Sequence, residues 1–379
     1  MLREHGFTEC SDELNNPEIT RDSSYQLKVD ELAAYIKENR ININDLIECV
    51  KNDSNEVDPI SFQNIMAVSS PEPLSFLRHV LDKNSLKNLG STGKVYIQTT
   101  DELKHDSYKY KEILDKYGIN VELIESGPLP FARKFGHVAI KKCIDSTFQI
   151  NNTPGNPDLR EAMKYVALQA GASVVAFSPY SNEIERIYGN SETANDNQLD
   201  VDWSRIGGLN GVLPMYDINM PTRVKPSEGR FTEYSPPKNK LELDVNEVIK
   251  SSDVELAGFG VEIVPVKNIN REKEVDAICI HNGRLIAIEA KQVEINSETG
   301  GYDNLQKNLQ ELMRQLSIYD TKTNFIKKIG VLPESVDSML KTIKNPAVRF
   351  SVNEEIKILK DMGVELVGLN ELLDRLSNR

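Results

Sequence analysis

The sequence of 379 residues has no long apolar run, few aromatic residues and no excess of basic charge. No segment approaches the roughly 18 consecutive apolar residues of a membrane-spanning helix. The N-terminal segment also lacks the apolar centre that is typical of a secretory signal peptide. We therefore expect a cytoplasmic protein with no membrane partner.

Cysteine is also scarce, and the four cysteines lie far apart at Cys10, Cys49, Cys143 and Cys279. This scatter disfavours both a disulfide framework and a cysteine zinc site. The net charge is −13. Proteins that coat nucleic acid are usually basic, because phosphate neutralisation drives their affinity. The composition therefore disfavours a passive nucleic-acid-coating protein, but it is compatible with an enzyme that has a local groove.

The chain is long enough for two domains and a connector. We expect a helical N-terminal extension over 1–55, a Rossmann-like domain over 56–200, a connector over 201–240 and a second α/β domain over 241–379. In the first domain short apolar runs alternate with helical patterns, which predicts a parallel, doubly wound sheet. Ligands of such sheets bind beyond the carboxyl ends of the strands.

The most informative segment is KEVDAICIHNGRLIAIEAKQ, residues 273–292. Asn282-Gly283 between two apolar runs predicts a two-residue hairpin turn. In that register His281 lies opposite Arg284. Each step away from the turn then moves one residue back on the first strand and one residue forward on the second. Directly opposed residues share one face of the hairpin.

The same register places Asp276 opposite Glu289 and Glu274 opposite Lys291. Two facing carboxylates repel each other, and a divalent cation such as Mg²⁺ or Mn²⁺ relieves that repulsion. A nearby lysine can position the attacking water, while the metal stabilises charge on a phosphate. The pattern favours phosphodiester hydrolysis. The alternative is a solvated hairpin that carries ordinary surface charges.

The pattern resembles that of the PD-(D/E)xK nuclease superfamily, in which an Asp on one strand and a Glu-x-Lys on the next bind metal and activate water. The candidate catalytic residues are Asp276, Glu289, Lys291, Glu233, Glu274 and Gln292. The resemblance implies metal ligands at Asp276, Glu289 and Ala290. Glu233 is the candidate for the acidic residue that often joins such a site from the preceding helix, with an exposed linker glutamate as the alternative. Gln292 is expected to contact the substrate backbone.

The domain order resembles that of a CRISPR-associated Rossmann-fold (CARF) sensor followed by a restriction-endonuclease-like domain, as in ancillary nucleases of type III CRISPR defence. The resemblance rests on IMAVSSPEPLSFLRHVL, KVYIQTTDELKHDSYKYKEILDKYGINVELIE and INNTPGNPDLREAMKYVALQAGASVVAFS. It implies a homodimer that binds a cyclic oligoadenylate, with a ring of four adenylates favoured over a ring of six. The implied ligand-binding residues are Ser69, Ser70, Thr99, Thr100, Asn151, Asn152, Thr153, Gly155 and Asn156.

The third segment departs from the family's usual Asn-x-Thr-Gly-Gly-Thr-Lys element. Pro154 replaces the first Gly, Asn156 the Thr and Pro157 the Lys. Loss of the lysine bears on the identity and ring size of the ligand. A Rossmann-like domain without a ligand is the alternative.

Three hypotheses follow for the whole chain. The first is a metal-dependent nuclease that a cyclic oligoadenylate activates to cleave RNA, DNA or both in antiviral defence. The second is a restriction- or repair-type nuclease without such an activator. The third is a nucleotide-binding regulator that has no catalytic activity.

Overall fold

The computed structural model describes residues 62–177, 184–188, 199–220, 229–264, 273–295, 302–317 and 326–377. The helices predicted within residues 1–55 lie outside these ranges. The described residues form two six-stranded sheets flanked by helices. The predicted fold class, a Rossmann-like α/β part followed by a second α/β part, is confirmed. No described helix is both long enough and apolar enough to cross a membrane.

The first sheet has the strand order β3-β2-β1-β4-β5-β6. Its strands are β1 (Asn64–Val68), β2 (Val95–Thr99), β3 (Val121–Glu125), β4 (Phe148–Asn151), β5 (Ser173–Phe177) and β6 (Ile184–Tyr188). The first five are parallel, and β6 pairs antiparallel with β5. Strand order reverses between β1 and β4, which is where ligands of doubly wound sheets bind.

Five helices pack on the first sheet: α1 (Leu74–Leu81), α2 (Lys83–Leu89), α3 (Lys104–Lys116), α4 (Leu129–Lys141) and α5 (Pro157–Ala170). Helix α5 begins at Pro157, and Asn156 caps it, since its side chain accepts a hydrogen bond from the Asp158 N–H. Helix α4 was not predicted. Its apolar Phe131 and Phe135 are exposed, which obscures the amphipathic pattern.

The second sheet has the order β14-β13-β10-β9-β8-β7. Its strands are β7 (Phe231–Glu233), β8 (Leu256–Ile263), β9 (Lys273–His281), β10 (Arg284–Ala290), β13 (Ile326–Leu332) and β14 (Val364–Gly368), and a short pair is formed by β11 (Glu294–Ile295) and β12 (Tyr302–Asp303). Strands β8, β9 and β10 are antiparallel neighbours, whereas β13 and β14 run parallel to β10. The sheet therefore combines an antiparallel hairpin with a parallel half.

The helices α7 (Lys240–Ser251), α8 (Leu305–Leu316), α9 (Val336–Thr342), α10 (Pro346–Asp361) and α11 (Leu369–Ser377) accompany the second sheet. Helix α8 carries a stripe of leucines. Its buried side chains are Leu305, Leu309, Leu312 and Leu316. Their i, i+4, i+7 and i+11 spacing keeps them on one side of a helix with 3.6 residues per turn.

The two sheets share a hydrophobic core. One continuous buried cluster includes Ile65 and Leu77 beside the first sheet and Ile278 and Leu285 in the second. The expected connector contributes to this core through helix α6 (Leu209–Met215). The N-terminal half of the molecule is therefore packed directly against the hairpin of the second sheet.

Candidate functional sites

The hairpin turn has the predicted geometry. Asn282 and Gly283 both have positive φ, at 48° and 68°, as the type I′ turn requires. The paired residues run from Arg284–His281 to Ile288–Ala277 in the predicted register. The turn chemistry of two residues is therefore sufficient to align the two strands.

The regular ladder ends at Ile288–Ala277, just before the two acidic residues. Beyond it, Asp276 Oδ2 accepts a hydrogen bond of 2.6 Å from the Ala290 N–H. The Asp276 N–H in turn lies 3.4 Å from Glu289 Oε2. The two acidic side chains thus lie beside each other at the open end of the hairpin, about 20 Å from the turn at roughly 3.3 Å per residue.

Lys291 completes this group, since its Nζ lies 2.8 Å from Glu289 Oε1. Burial raises the pKa of Asp276, and the nearby charge of Glu289 raises it further. Burial also raises the pKa of Glu289, and Lys291 opposes that rise. Two adjacent carboxylates of which one is paired with an ammonium group are electrostatically costly, and burial increases that cost. Ordinary packing alone does not account for such a pair.

The predicted pairing of Glu274 with Lys291 is wrong. The strands separate beyond the ladder, because β9 stays paired with β8 while the Lys291 N–H donates to the Val331 carbonyl of β13. Glu274 Oε2 instead lies 2.5 Å from Lys238 Nζ. Glu274 therefore has its own cationic partner, and we assign it no role beside Lys291.

The expectation that Glu233 joins the site from a helix is not met. Glu233 is exposed and lies on β7, paired with Phe259, rather than on a helix. The glutamate whose charge raises the pKa of both Asp276 and Glu289 is Glu242, in the first turn of α7. The sequence signal for it was present, because Asn239 and Glu242 have the spacing of a helix capping box.

Both carboxylate oxygens of Glu242 are used in that cap. Oε1 accepts from Asn239 Nδ2 and Oε2 from the Lys238 N–H, each at 2.6 Å. Within the described ranges, no group of three or more His, Cys, Asp or Glu side chains is arranged to hold a metal ion. The candidate metal ligands at the open end of the hairpin are thus the two carboxylates of Asp276 and Glu289. That donor set fits a hard divalent cation, because Mg²⁺ is commonly held by one or two carboxylates and retains several waters.

The two remaining candidates at this end differ in exposure. Ala290 is buried, and its N–H binds Asp276 as described above. Gln292 is exposed, and its backbone carbonyl accepts a 3.1 Å hydrogen bond from Asn308 Nδ2 of α8. The Gln292 side chain thus lies on the surface, three residues along the chain from Glu289.

A cavity of about 470 Å³ lies at the carboxyl ends of β1 and β2 and the start of α5. It is lined by Val68, Ser69, Ser70, Pro71, Gln98, Thr100, Glu102, Leu103, Leu129, Gly155, Asn156 and Leu159. Five of the predicted ligand residues belong to this lining: Ser69, Ser70, Thr100, Gly155 and Asn156. Its volume is in the usual range for small-molecule sites, about 300–1,000 Å³.

The other four predicted ligand residues do not line the cavity. Thr99 Oγ1 accepts from Ser107, and Thr153 Oγ1 accepts from the Phe177 N–H. Asn151 Oδ1 accepts from the Thr153 N–H. Asn152 is buried, and its carbonyl binds Arg160. The side chains of Thr99, Asn151 and Thr153 and the backbone of Asn152 thus brace the loops that shape the cavity.

Gly155 brings the loop before α5 against β1. Its φ is +87°, and a Cβ at this position would lie 2.4 Å from Val68 Cγ1. The cavity therefore has a closely packed glycine loop at a helix start, which is typical of anion sites. None of the described residues that line it has a cationic side chain, and the carboxylate of Glu102, which also lines it, accepts from the Leu129 N–H.

Gln98 also lines the cavity and was not predicted. It is fully buried, and its Nε2 donates to Ser126 Oγ at 2.9 Å. Its Oε1 is buried without a hydrogen-bond partner. The signal in the sequence was a glutamine inside the otherwise apolar strand VYIQT.

A buried ion pair joins helix α1 to the second sheet. Arg78 Nε lies 3.2 Å from Glu255 Oε2, and the two side chains are 2% and 7% exposed. Glu255 Oε1 accepts from the Gly283 N–H of the hairpin turn at 3.0 Å. Helix α1, which begins just after the Ser69-Ser70 loop of the cavity, therefore contacts the tip of the hairpin whose open end holds Asp276 and Glu289.

No protein-family model matches the chain, and no curated protein matches it. Among solved structures it is similar to protein VC1899 from Vibrio cholerae, with 11% identity over 82% of this chain and 95% of that chain and a TM-score of 0.46. It is also similar to Can2 from Sulfobacillus thermosulfidooxidans in complex with cyclic tetra-adenylate, with 9% identity over 82% and 98% of the two chains and a TM-score of 0.49. A type III CRISPR defence DNA nuclease activated by cyclic oligoadenylate matches at 14% identity over 72% of this chain and 45% of that chain, with a TM-score of 0.44. At these identities and TM-scores none of the likenesses carries an argument about function.

Proposed function

We propose that this chain is a metal-dependent nuclease that a cyclic oligoadenylate activates to cleave RNA, DNA or both in type III CRISPR antiviral defence. The observation that carries the nuclease part is the pair of adjacent carboxylates of the half-buried Asp276 and the buried Glu289, with Lys291 bound to Glu289. These residues match the strand-borne Asp and Glu-x-Lys of the PD-(D/E)xK pattern. The nuclease domain is the second sheet with its helices, and the sensor domain is the first.

Each residue has a defined task in this proposal. The Ala290 N–H fixes the orientation of Asp276, and Lys291 fixes that of Glu289. Mg²⁺ or Mn²⁺ held by these two carboxylates would stabilise charge on the phosphate and make a bound water more acidic. The ammonium group of Lys291 holds the attacking water or a phosphate oxygen by charge-assisted hydrogen bonds.

The activator site is the cavity at the ends of β1 and β2. Its lining offers the hydroxyls of Ser69 and Ser70 and the side chain of Asn156 at the start of α5. Backbone N–H groups at a helix start attract phosphate. The contact of Arg78 with the hairpin tip provides a packed connection between this region and the hairpin.

A second copy of the chain is the proposed partner. Helix α4 exposes Phe131, Phe135 and Val138 at helical spacing, with exposed fractions of 54%, 42% and 48%. The first residue of the same helix, Leu129, lines the cavity. A dimer formed on this apolar stripe would place a second cavity nearby, and the molar mass from light scattering tests this arrangement.

The alternative is a restriction- or repair-type nuclease that needs no cyclic activator. Two observations favour it: no basic residue is among the described residues that line the cavity, and Pro157 stands where the family's element has lysine. A cyclic oligoadenylate carries one negative charge per phosphate, so its binding would depend on backbone N–H groups and hydroxyls.

Cleavage assays separate these possibilities. The full-length protein is incubated with Mn²⁺ and labelled RNA or DNA, with and without cyclic tetra-adenylate or cyclic hexa-adenylate. We expect Glu289→Ala to reduce cleavage at least about 100-fold, because loss of a supporting group at a metal site already costs 10- to 100-fold. Glu354→Ala, the same change at an exposed position on α10, is the control and should cleave normally.

Two outcomes would contradict parts of the proposal. Full activity of Glu289→Ala would remove the assigned nuclease site. Cleavage by the wild-type protein at the same rate with and without both cyclic nucleotides would remove the activator and leave the alternative nuclease.

A further inference from the structure

The cavity lining combines apolar and polar groups. Val68, Leu129 and Leu159 contribute apolar walls, whereas Ser69, Ser70 and Asn156 contribute polar groups. An apolar enclosure with a few placed polar atoms suits a flat heterocycle better than a phosphate. The hydroxyls and the Asn156 side chain suit the sugar-phosphate part of the same ligand.

Three of the described residues that line the cavity are buried and polar, Ser69, Thr100 and Gln98, and Gln98 is the least exposed of them. Its amide nitrogen is held from the other side: Nε2 donates to Ser126 Oγ, and a Cβ on Gly136 of α4 would lie 2.8 Å from Nε2. This leaves the carbonyl oxygen Oε1, which is buried and has no partner. A buried acceptor without a donor is unfavourable, so a ligand that supplies an N–H there gains affinity.

We propose that Gln98 is a specificity-determining residue, whose carbonyl oxygen accepts a hydrogen bond from the exocyclic amino group of an adenine base in this cavity. This inference rests on the proposed cyclic oligoadenylate activator and adds the group that recognises its base. A hypoxanthine base has a carbonyl oxygen in place of the amino group. It would set two acceptors against each other, and buried sites reject such a mismatch strongly.

The test measures the affinity of the full-length protein for cyclic tetra-adenylate and for cyclic tetra-inosinate by calorimetry. We expect the wild-type protein to bind the inosine ring about 10- to 100-fold more weakly, the factor associated with leaving a buried hydrogen-bonding group unpaired. Gln98→Leu keeps the volume and removes the acceptor. It should bind cyclic tetra-adenylate more weakly by a similar factor and lose the preference between the two rings.

Gln149→Leu is the matched control. Gln149 lies on β4, outside the cavity lining, and its Oε1 is already paired with His79 Nε2 at 2.6 Å. This variant should retain the wild-type preference for adenine. If Gln98→Leu fails to fold, Gln98→Met takes its place, and equal affinity of the wild-type protein for the two rings would still overturn the inference.

Three results would overturn the inference. Equal affinity of the wild-type protein for both rings would show that no group in the cavity reads the amino group. An unchanged preference in Gln98→Leu would show that another group reads it. If neither ring binds the wild-type protein, the proposed activator is wrong and the assignment of Gln98 falls with it.

Discussion

The two ends of the β9–β10 hairpin carry buried charge in opposite ways. At the tip, the Gly283 N–H and Arg78 both contact Glu255, so the buried carboxylate has a cation and a backbone donor. At the open end, Asp276 and Glu289 lie side by side, and Lys291 is bound to one of them. The hairpin therefore has a neutralised ion pair at its tip and an excess of negative charge at its open end.

This difference separates structural charge from functional charge. A buried ion pair with complementary charges can persist without any ligand, although it adds little net stability. At the open end, burial raises the pKa of both carboxyl groups, and the charge of Glu289 raises that of Asp276 further, so the ionised pair disfavours the folded protein unless a cation joins it. The tip of the hairpin is thus a joint between the two halves of the molecule, and the open end is the candidate reaction centre.

Removing the cation at the tip should have the largest effect on stability. Arg78→Ala leaves Glu255 buried without its positive partner, and breaking one side of a buried pair costs about 3–5 kcal/mol. Urea unfolding followed by circular dichroism measures this loss. A change below about 1 kcal/mol would show that the pair is not buried in the native protein.

A paired replacement sharpens that prediction. Arg78→Met combined with Glu255→Gln removes both charges, while the amide oxygen of the new side chain still accepts from the Gly283 N–H. We expect the double variant to be clearly more stable than Arg78→Ala. Equal instability of the two would attribute the loss to packing rather than to the unpaired charge.

The hairpin and most of its register were predictable from local sequence. Asn282-Gly283 between two apolar runs determines the turn, and the turn sets which residues of β9 and β10 lie opposite each other. The prediction failed at Glu274, because the point where the strands separate depends on β8 and β13. Those neighbours are brought in by long-range packing that no local pattern records.

The residues that were missed share a similar cause. Glu242 acts on the carboxylates only because the start of α7 packs near the open end of the hairpin, and Gln98 matters only because its strand ends at the cavity. Within residues 151–157, which correspond to the family's Asn-x-Thr-Gly-Gly-Thr-Lys element, spacing alone did not distinguish residues that line the cavity from those that brace its loops. Thr153 and Asn151 brace the loop, whereas Gly155 and Asn156 face the cavity.

Acid should lower the free energy of unfolding through His79, which lies next to Arg78 on α1. Burial lowers the pKa of His79 to about 4, against an ordinary value near 6.5. The neutral ring is thus favoured in the folded protein. Its contribution to stability is complete above pH 6.5 and is lost as the pH falls towards 4, by at most about 3 kcal/mol for this difference in pKa.

His79→Gln tests this assignment. The variant cannot gain a proton, so its unfolding free energy should fall less between pH 6.5 and 4 than that of the wild-type protein. His105→Gln, an exposed histidine on α3, is the control and should follow the wild-type curve. Identical slopes for all three proteins would contradict the buried, neutral state of His79.

Neutralising one carboxylate at the open end should have the opposite sign and a smaller size. In metal-free buffer at pH 8, Asp276→Asn removes a charge that burial and Glu289 disfavour, and its amide oxygen still accepts from the Ala290 N–H. We expect the variant to be stabilised by about 1 kcal/mol, a rise in Tm of roughly 2–4 °C. A fall in Tm would mean that the charge of Asp276 supports the fold without a metal.

Binding of Mn²⁺ to the full-length protein tests the central claim most directly. We predict that calorimetry detects a Mn²⁺ site in the wild-type protein and that Glu289→Gln, which keeps the shape of the side chain, removes or greatly weakens it. The Glu354→Gln control should bind as the wild-type protein does. Equal Mn²⁺ binding by wild-type and Glu289→Gln would contradict the assignment of the Asp276–Glu289 pair as the metal site.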